Sequence, residues 1–318
     1  MPRRSLIAVL TLAPALAVAL PLAAPTAGAF APAAANADLV TYGTHPLQQL
    51  DFYRPADGFP GPRPLILFIH GGAWAGGDKS YATGEAKIRH YTEAGYALAS
   101  VNYRLLPEAS IEDQASDIAA AIAALRDKAQ GLGIDPGRVV IMGHSAGAHL
   151  GALVATDPQW LRGVGMAPAD IAGVVLLDGA AYDVPRQIRE AGPLLGIAYQ
   201  LAFGDDAARQ ERLSPIHHVE SGNASRFLIL HITRPDSTAQ AEALGEALAA
   251  SGTPASVEEV AGRGLEGHNL LNGMLGREDS PATVVVDAWL REAVAARRAG
   301  RPQANPLFPA ATKVDIMA

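Results

Sequence analysis

The sequence predicts an α/β fold in which a mostly parallel central sheet is flanked by helices, and three observations lead there. Short runs of consecutive apolar residues recur along the chain, as in strands buried on both faces. Between them lie segments whose apolar residues return every three or four positions, the spacing of amphipathic helices. The alternation continues unbroken from about Leu65 to Arg298, so it belongs to one domain. A chain of 318 residues, 49% of them hydrophobic, has enough apolar material for a core of that size.

Taken in order, the first segment sets Arg3 and Arg4 before an apolar stretch that ends in the small residues Ala27-Gly28-Ala29. That order describes an export signal, with cleavage after Ala29 or after Ala37, so residues 1–37 fall outside the fold and the mature protein is expected to be secreted or periplasmic. Pro14, Pro21 and the many alanines make this stretch a poor permanent membrane helix, so no stable anchor is expected after cleavage. The domain proper then spans 38–300. It opens with two strand-like pieces, Leu39 to Tyr42 and Gln48 to Tyr53, which read as an antiparallel hairpin closed by Pro55. Buried strands follow at Leu65–Ile69, Ala97–Val101, Val139–Met142, Gly173–Leu177 and Phe227–Leu230, with a last strand-like piece near Ser256 to Val260.

The clearest helix carries Ile111, Ala115, Ile118, Ile122 and Leu125 on one face, with Ser110 as its N-cap and Gly131 as its end. Asp117 on that helix reads as a solvated residue. Further helices are expected over "STAQAEALGEALAASG" and after Ser280-Pro281, a cap followed by proline at the first helical position. Two stretches stand outside the alternation. Residues 183–220 are long for a connection in such a sheet and show helical spacing at Leu194, Leu195, Ala198 and Leu201, which suggests a small cap-like insertion. Residues 301–318 form a Pro-rich, aperiodic tail.

Composition removes several functions. A net charge of -7, with no cluster of Lys and Arg, leaves no electrostatic footprint for nucleic acid. Absence of cysteine removes disulfides, thiolate metal sites and cysteine nucleophiles together. No group of His and Asp has metal-ligand spacing, so neither metal nor cofactor is expected.

Chemistry concentrates in two glycine-rich turns. Gly143-His144-Ser145-Ala146-Gly147 follows a buried strand and runs straight into "AHLGALVAT", which continues as a helix. This strand-turn-helix setting separates a nucleophile elbow from a mere hinge. Upstream, "FIHGGAWAGGDKS" follows the first buried strand, where a glycine-rich loop can aim backbone N–H groups at a negative oxygen. A phosphate cradle would need Gly-x-Gly-x-x-Gly or a Gly-Lys-Ser/Thr ending, and neither is present.

These two elements, in this order, resemble the α/β-hydrolase superfamily. "HGGAW", "NYRL" at Asn102 to Leu105 and "GHSAG" resemble its bacterial esterase and lipase branch, with hormone-sensitive-lipase-like, feruloyl- or acetylxylan-esterase-like and kynurenine-formamidase-like members. The resemblance covers about Tyr42 to Arg298. It implies Ser145 as nucleophile, followed in chain order by an acid and a base. Asp236 lies after the strand "RFLILH", at the sheet edge that carries the serine turn, and is the expected acid, although as an aspartate it also suits the cap of the helix beginning near Thr238. Relatives often read His-Gly-x-x-Asp there, whereas His231 to Asp236 lacks the glycine and is one residue longer. Asp178 and Asp183 are the next candidates, then Glu266.

His268, in a loop after the last strand, is the expected base. His70 belongs to the oxyanion loop, where relatives use it structurally, and His144 fills the variable position of the elbow. The oxyanion hole would comprise the N–H groups of Gly72, Ala73 and Ala146. Trp74 either lines the acyl or alcohol pocket or anchors its loop, and Tyr103 and Arg104 brace the loop after their strand. The implied activity is hydrolysis of small-molecule or polymer-linked carboxylic esters with short or aromatic acyl groups, through an acyl-enzyme. An arylformamidase is the alternative chemistry. A catalytically silent binding protein is the alternative class, although such proteins usually lose a triad member.

Overall fold

The apolar runs become strands. The computed structural model describes residues 37–220 and 222–299. Within them β1 (Asp38–Thr41), β2 (Gln49–Tyr53), β3 (Arg63–Ile69), β4 (Ala97–Val101), β5 (Ile134–His144), β6 (Ile171–Leu177), β7 (Phe227–Thr233) and β8 (Ala255–Arg263) make one sheet. Its order is β1-β2-β4-β3-β5-β6-β7-β8. The opening pieces pair antiparallel with each other, and β2 runs antiparallel to β4; from β4 to β8 every neighbouring pair is parallel. Every residue of β4 and β6 is buried, as strands sandwiched between helices should be.

Helices fill the crossovers. α1 (Lys79–Ala82) and α2 (Glu85–Glu93) follow β3; α3 (Ile111–Asp127) and α4 (Ala129–Leu132) follow β4; α5 (Ala146–Thr156) and α6 (Pro158–Arg162) follow β5. The 183–220 segment folds mainly as three short helices, α7 (Val184–Glu190), α8 (Pro193–Phe203) and α9 (Ala207–Arg212). α10 (Pro235–Ala250) joins β7 to β8, and α11 (Gly264–Met274) and α12 (Pro281–Ala299) complete the order. Side chains alternate across the sheet. Leu65, Leu67 and Ile69 of β3 join a core beneath α3, α5 and α10, while Ile66 and Phe68 join a second core beneath α2, α11 and α12.

Local chemistry sets the helix ends. Ser110 and Asp113 cap α3 reciprocally, an arrangement whose loss typically costs about 1 kcal/mol. The helix stops at Asp127 rather than continuing towards Gly131, and α4 is closed by Gly133 in the left-handed conformation. Asp117 is not solvated. It is buried and accepts two hydrogen bonds from the Arg104 guanidinium, at 2.9 and 2.8 Å, and one from Gln48 Nε2 at 2.7 Å. Among the described residues no helix is long and apolar enough to cross a membrane. The export signal of residues 1–37 and the tail of 301–318 fall outside the described residues, apart from Ala37.

Candidate active site

β5 delivers Ser145 to the C-terminal edge of the sheet, and the chain turns there within one residue. Ser145 has φ 56° and ψ −121°, and α5 begins immediately after it. A non-glycine residue in such a conformation costs roughly 1–3 kcal/mol, which the surrounding structure must offset. The close approach that enforces it explains both motif glycines. A Cβ on Gly143 would lie 2.3 Å from the Gly147 carbonyl oxygen, and one on Gly147 would lie 2.2 Å from that of Ile69. Ser145 N–H donates to Leu177 O at 3.0 Å, tying the turn to the end of β6. Ser145 is half-buried. Ala146, as the first residue of α5, has an N–H with no partner within its own helix.

Beside the elbow lies the loop after β3. Gly72, Ala73 and Trp74 take positive φ in succession, 126°, 50° and 60°, and Gly72 O accepts from the N–H of Ala75 and of Gly76. Gly72 and Ala73 face solvent. Tyr103, at the end of β4, braces this loop rather than the one after its own strand. Its hydroxyl donates to His70 O at 2.9 Å and its ring stacks on the His70 imidazole at 4.4 Å. Asn102 accepts from Lys79 N–H and donates to Asp78, both at 2.6 Å. Trp74 is only 4% exposed and anchors the loop. Its Nε1 donates to His149 Nδ1 at 3.3 Å, His149 Nε2 donates to Leu213 O at 2.8 Å, and the rings of Tyr199 and Phe203 from α8 close around the indole. Burial draws the His149 pKa down to about 4, which matches this neutral donor-acceptor arrangement. His149 was invisible as a functional position in the sequence, because it reads as one more residue of an apolar helix.

His268 lies in α11 rather than in a loop, and the carboxylate at its side is Asp178. His268 Nδ1 donates to Asp178 Oδ2 at 2.6 Å. Asp178, fully buried, also accepts from Ser237 Oγ at 2.5 Å and from Ile232 N–H at 3.2 Å, with Arg234 Nη2 3.7 Å away. Burial alone would raise its pKa; the His268 bond, the Arg234 charge and the Ser237 bond together outweigh burial and hold it below the ordinary carboxylate value. Strand register explains the placement. His144 of β5 pairs with Leu177 of β6, so Ser145 and Asp178 are the next residues on adjoining strands.

Asp236, the acid expected from the sequence, is not at His268. It accepts a hydrogen bond from Gln187 Nε2 at 3.2 Å and lies 3.3 Å from Arg234 Nε. Nor does it cap α10, since Arg234 holds that position and Asp236 is the second helical residue. The start of the helix sets where this carboxylate goes. Pro235 starts the helix, and the carboxylate behind it is carried round towards α7. Asp183 caps α7 by accepting from Arg186 N–H, and Glu266 is exposed in the first turn of α11. Among the described residues, no group of three or more His, Asp or Glu side chains could hold a metal ion.

Comparison with known proteins bears on the same region. Residues 50–162, including the loop after β3 and the elbow, match the family model BD-FAE. The chain is similar to esterase LipC of Mycobacterium tuberculosis, 30% identical over 203 residues, which cover 61% of this chain and 50% of that protein. It is also similar to a probable isoprenylcysteine alpha-carbonyl methylesterase of Arabidopsis thaliana, 35% identical over 118 residues, covering 37% of this chain and 24% of the relative. The matches thus span a quarter to a half of the length of these curated relatives. In three dimensions it resembles esterase B of Lactobacillus rhamnosis, with a TM-score of 0.68 at 23% identity, covering 84% of this chain and 88% of the other.

Proposed function

We propose that this chain, which has the α/β-hydrolase fold and is similar to esterases, hydrolyses carboxylic esters through an acyl-enzyme on Ser145. The observation that carries this reading is the convergence at one sheet edge of a serine held at positive φ and a histidine whose Nδ1 is committed to a buried carboxylate. With Nδ1–H bound to Asp178, the free lone pair of His268 is on Nε2, the position a general base needs. Ser145 Oγ attacks the acyl carbonyl as its proton passes to Nε2; the imidazolium then gives that proton to the departing alcohol. Water repeats the sequence and releases the acid. The N–H groups of Ala73 and Ala146, with Gly72, receive the oxyanion, each such donor being worth roughly 3–4 kcal/mol of barrier.

The proposed acyl groups are short or aromatic. Aromatic side chains lie next to the loop after β3, where Trp74 packs ring against ring with Tyr199 and Phe203 of the insertion. Work outside the cytoplasm belongs to this proposal too, and rests on the residue order of positions 1–37. A panel of p-nitrophenyl esters from acetyl to long-chain, with a feruloyl ester and an aryl formamide, tests the substrate range. Hydrolysis of the short esters and labelling by a fluorophosphonate are expected in the wild type and absent from Ser145→Ala. A wild-type protein that neither hydrolyses nor labels overturns the esterase reading, and a preference for the formamide replaces it.

A further inference from the structure

His268 comes to the strand end that carries Ser145 from far across the sheet. α11 follows β8, and both β6 and β7 lie between β8 and the strand that carries the elbow. β8 is the sheet edge, with most of its residues exposed, and the first turn of α11 is exposed as well. A helix hung from such an edge does not by itself place an imidazole to within the few tenths of an ångström that proton transfer demands. Asp178 holds one ring nitrogen. A single bond to one ring atom still leaves the ring free to pivot about it, and does not hold the main chain of His268 itself.

The second hold comes from the residue before the nucleophile. His144 Nε2 lies 3.1 Å from the main-chain oxygen of His268, and since a carbonyl only accepts, Nε2 carries the proton. The His144 ring also lies over the His268 ring, with centroids 4.4 Å apart and planes tilted by 36°. Both histidines are buried, and His144 is locked at the end of β5 by its pairing with Leu177. On these observations we propose that His144 is a positioning residue: it clamps the backbone and one ring face of His268 to the same strand end that carries Ser145. The role rests on the esterase reading, and assigns work to the elbow position that the Gly-x-Ser-x-Gly pattern leaves variable.

The clamp requires His144 to stay uncharged while its neighbour gains and loses a proton. Burial, followed by the adjacent His268 and then by Lys87 of α2, draws the His144 pKa down to about 3, against the opposing pull of the hydrogen bond to His268 O and of Asp178. Asp178 itself faces Arg234, beyond the end of β7. An imidazolium on His268 therefore meets a neutral ring face, not a second cation.

Two substitutions separate the clamp from simple packing. His144→Leu keeps bulk and loses the donor; His144→Gln keeps an N–H at similar reach. Expected for His144→Leu is a fall in kcat of about 100-fold with KM little changed, and a shifted acidic limb in the pH profile of kcat/KM, both largely restored in His144→Gln. The readout that does not depend on activity is the proton NMR signal of His268 Nδ1–H in the bond to Asp178. It should be present in the wild type and His144→Gln, and broadened or lost in His144→Leu. A sharp, unshifted signal in His144→Leu overturns the clamp, as does a kcat within twofold of wild type, or equal losses in both variants with unchanged pH profiles. A wild type that lacks hydrolysis and fluorophosphonate labelling, yet shows the expected NMR pattern, overturns the esterase reading while the contact itself stands.

Discussion

A carboxylate that fixes an imidazole tautomer must accept from Nδ1–H and remain ionised while it does so. Asp178 meets both conditions, with three hydrogen-bond donors and a guanidinium around it. Asp236 faces an amide and shares the same arginine. Asp178→Asn should therefore lower kcat by about four orders of magnitude, because an amide at that point favours the wrong tautomer. Asp236→Asn should stay within a few-fold of wild type, a comparison that steady-state kinetics on a short p-nitrophenyl ester settles. The opposite ranking returns the role to Asp236. The turn around Ser145 is legible because steric demands at a one-residue turn leave few alternatives to its glycines, and His268 stands out as the one histidine after Asp236. The carboxylate beside His268 is not legible. Choosing between Asp178 and Asp236 required knowing that Pro235 would start α10 and that β6, rather than β7, adjoins the elbow strand.

Strands and most helices were readable because burial on both faces leaves an unbroken apolar run, and burial on one leaves a three-to-four spacing. The helical state of His268 was not, since Gly264 and Gly267 lower helix propensity and no capping side chain marks the start of α11. What holds that helix is tertiary. Lys87 of α2, buried and set 5.2 Å over the Phe68 ring, donates from Nζ to Asn272 O, and Asn272 Nδ2 donates to Ala82 O at 3.0 Å. Burial lowers the Lys87 pKa to about 7, whereas the unfolded side chain stays protonated to about 10.4. Between those values the unfolded state binds more protons, so the contribution of Lys87 to stability rises with pH from about 7 to 10 and is flat below 7. Lys87→Met removes that term. Urea unfolding of both proteins should show the difference, wild type minus variant, growing by up to about 1.4 kcal/mol per pH unit between pH 7.5 and 9.5. A constant difference would mean that the lysine keeps its proton in the core.

At the scale of the whole molecule, strand order is what the sequence conceals most completely. Nothing in the apolar runs says that β4 lies outside β3, or that β5 and β6 adjoin, because neighbours in a parallel sheet are chosen by crossover handedness and helix packing rather than by local pattern. Once the order is known, the groups proposed for catalysis fall into two parts with different neighbours. Ser145 and Asp178 end a pair of central strands whose backbones are bonded to each other and buried throughout that end. His268 is buried beside them, but its helix hangs from the edge strand β8. Regions with exposed backbone bonds and few buried apolar contacts open at lower free energy than central strands. Rising denaturant should thus detach the base while the nucleophile and its neighbouring carboxylate still stand in place. Ester hydrolysis is expected to fade at lower urea than the fluorescence change of Trp289, which packs over Gly173 of β6. Coincident midpoints would mean that the edge and the centre melt together. The parallel pairing of His144 with Leu177 thereby divides the proposed active site by durability: the proposed chemistry is to be lost first through the residue assigned to proton transfer, and regained on dilution without the sheet having to refold.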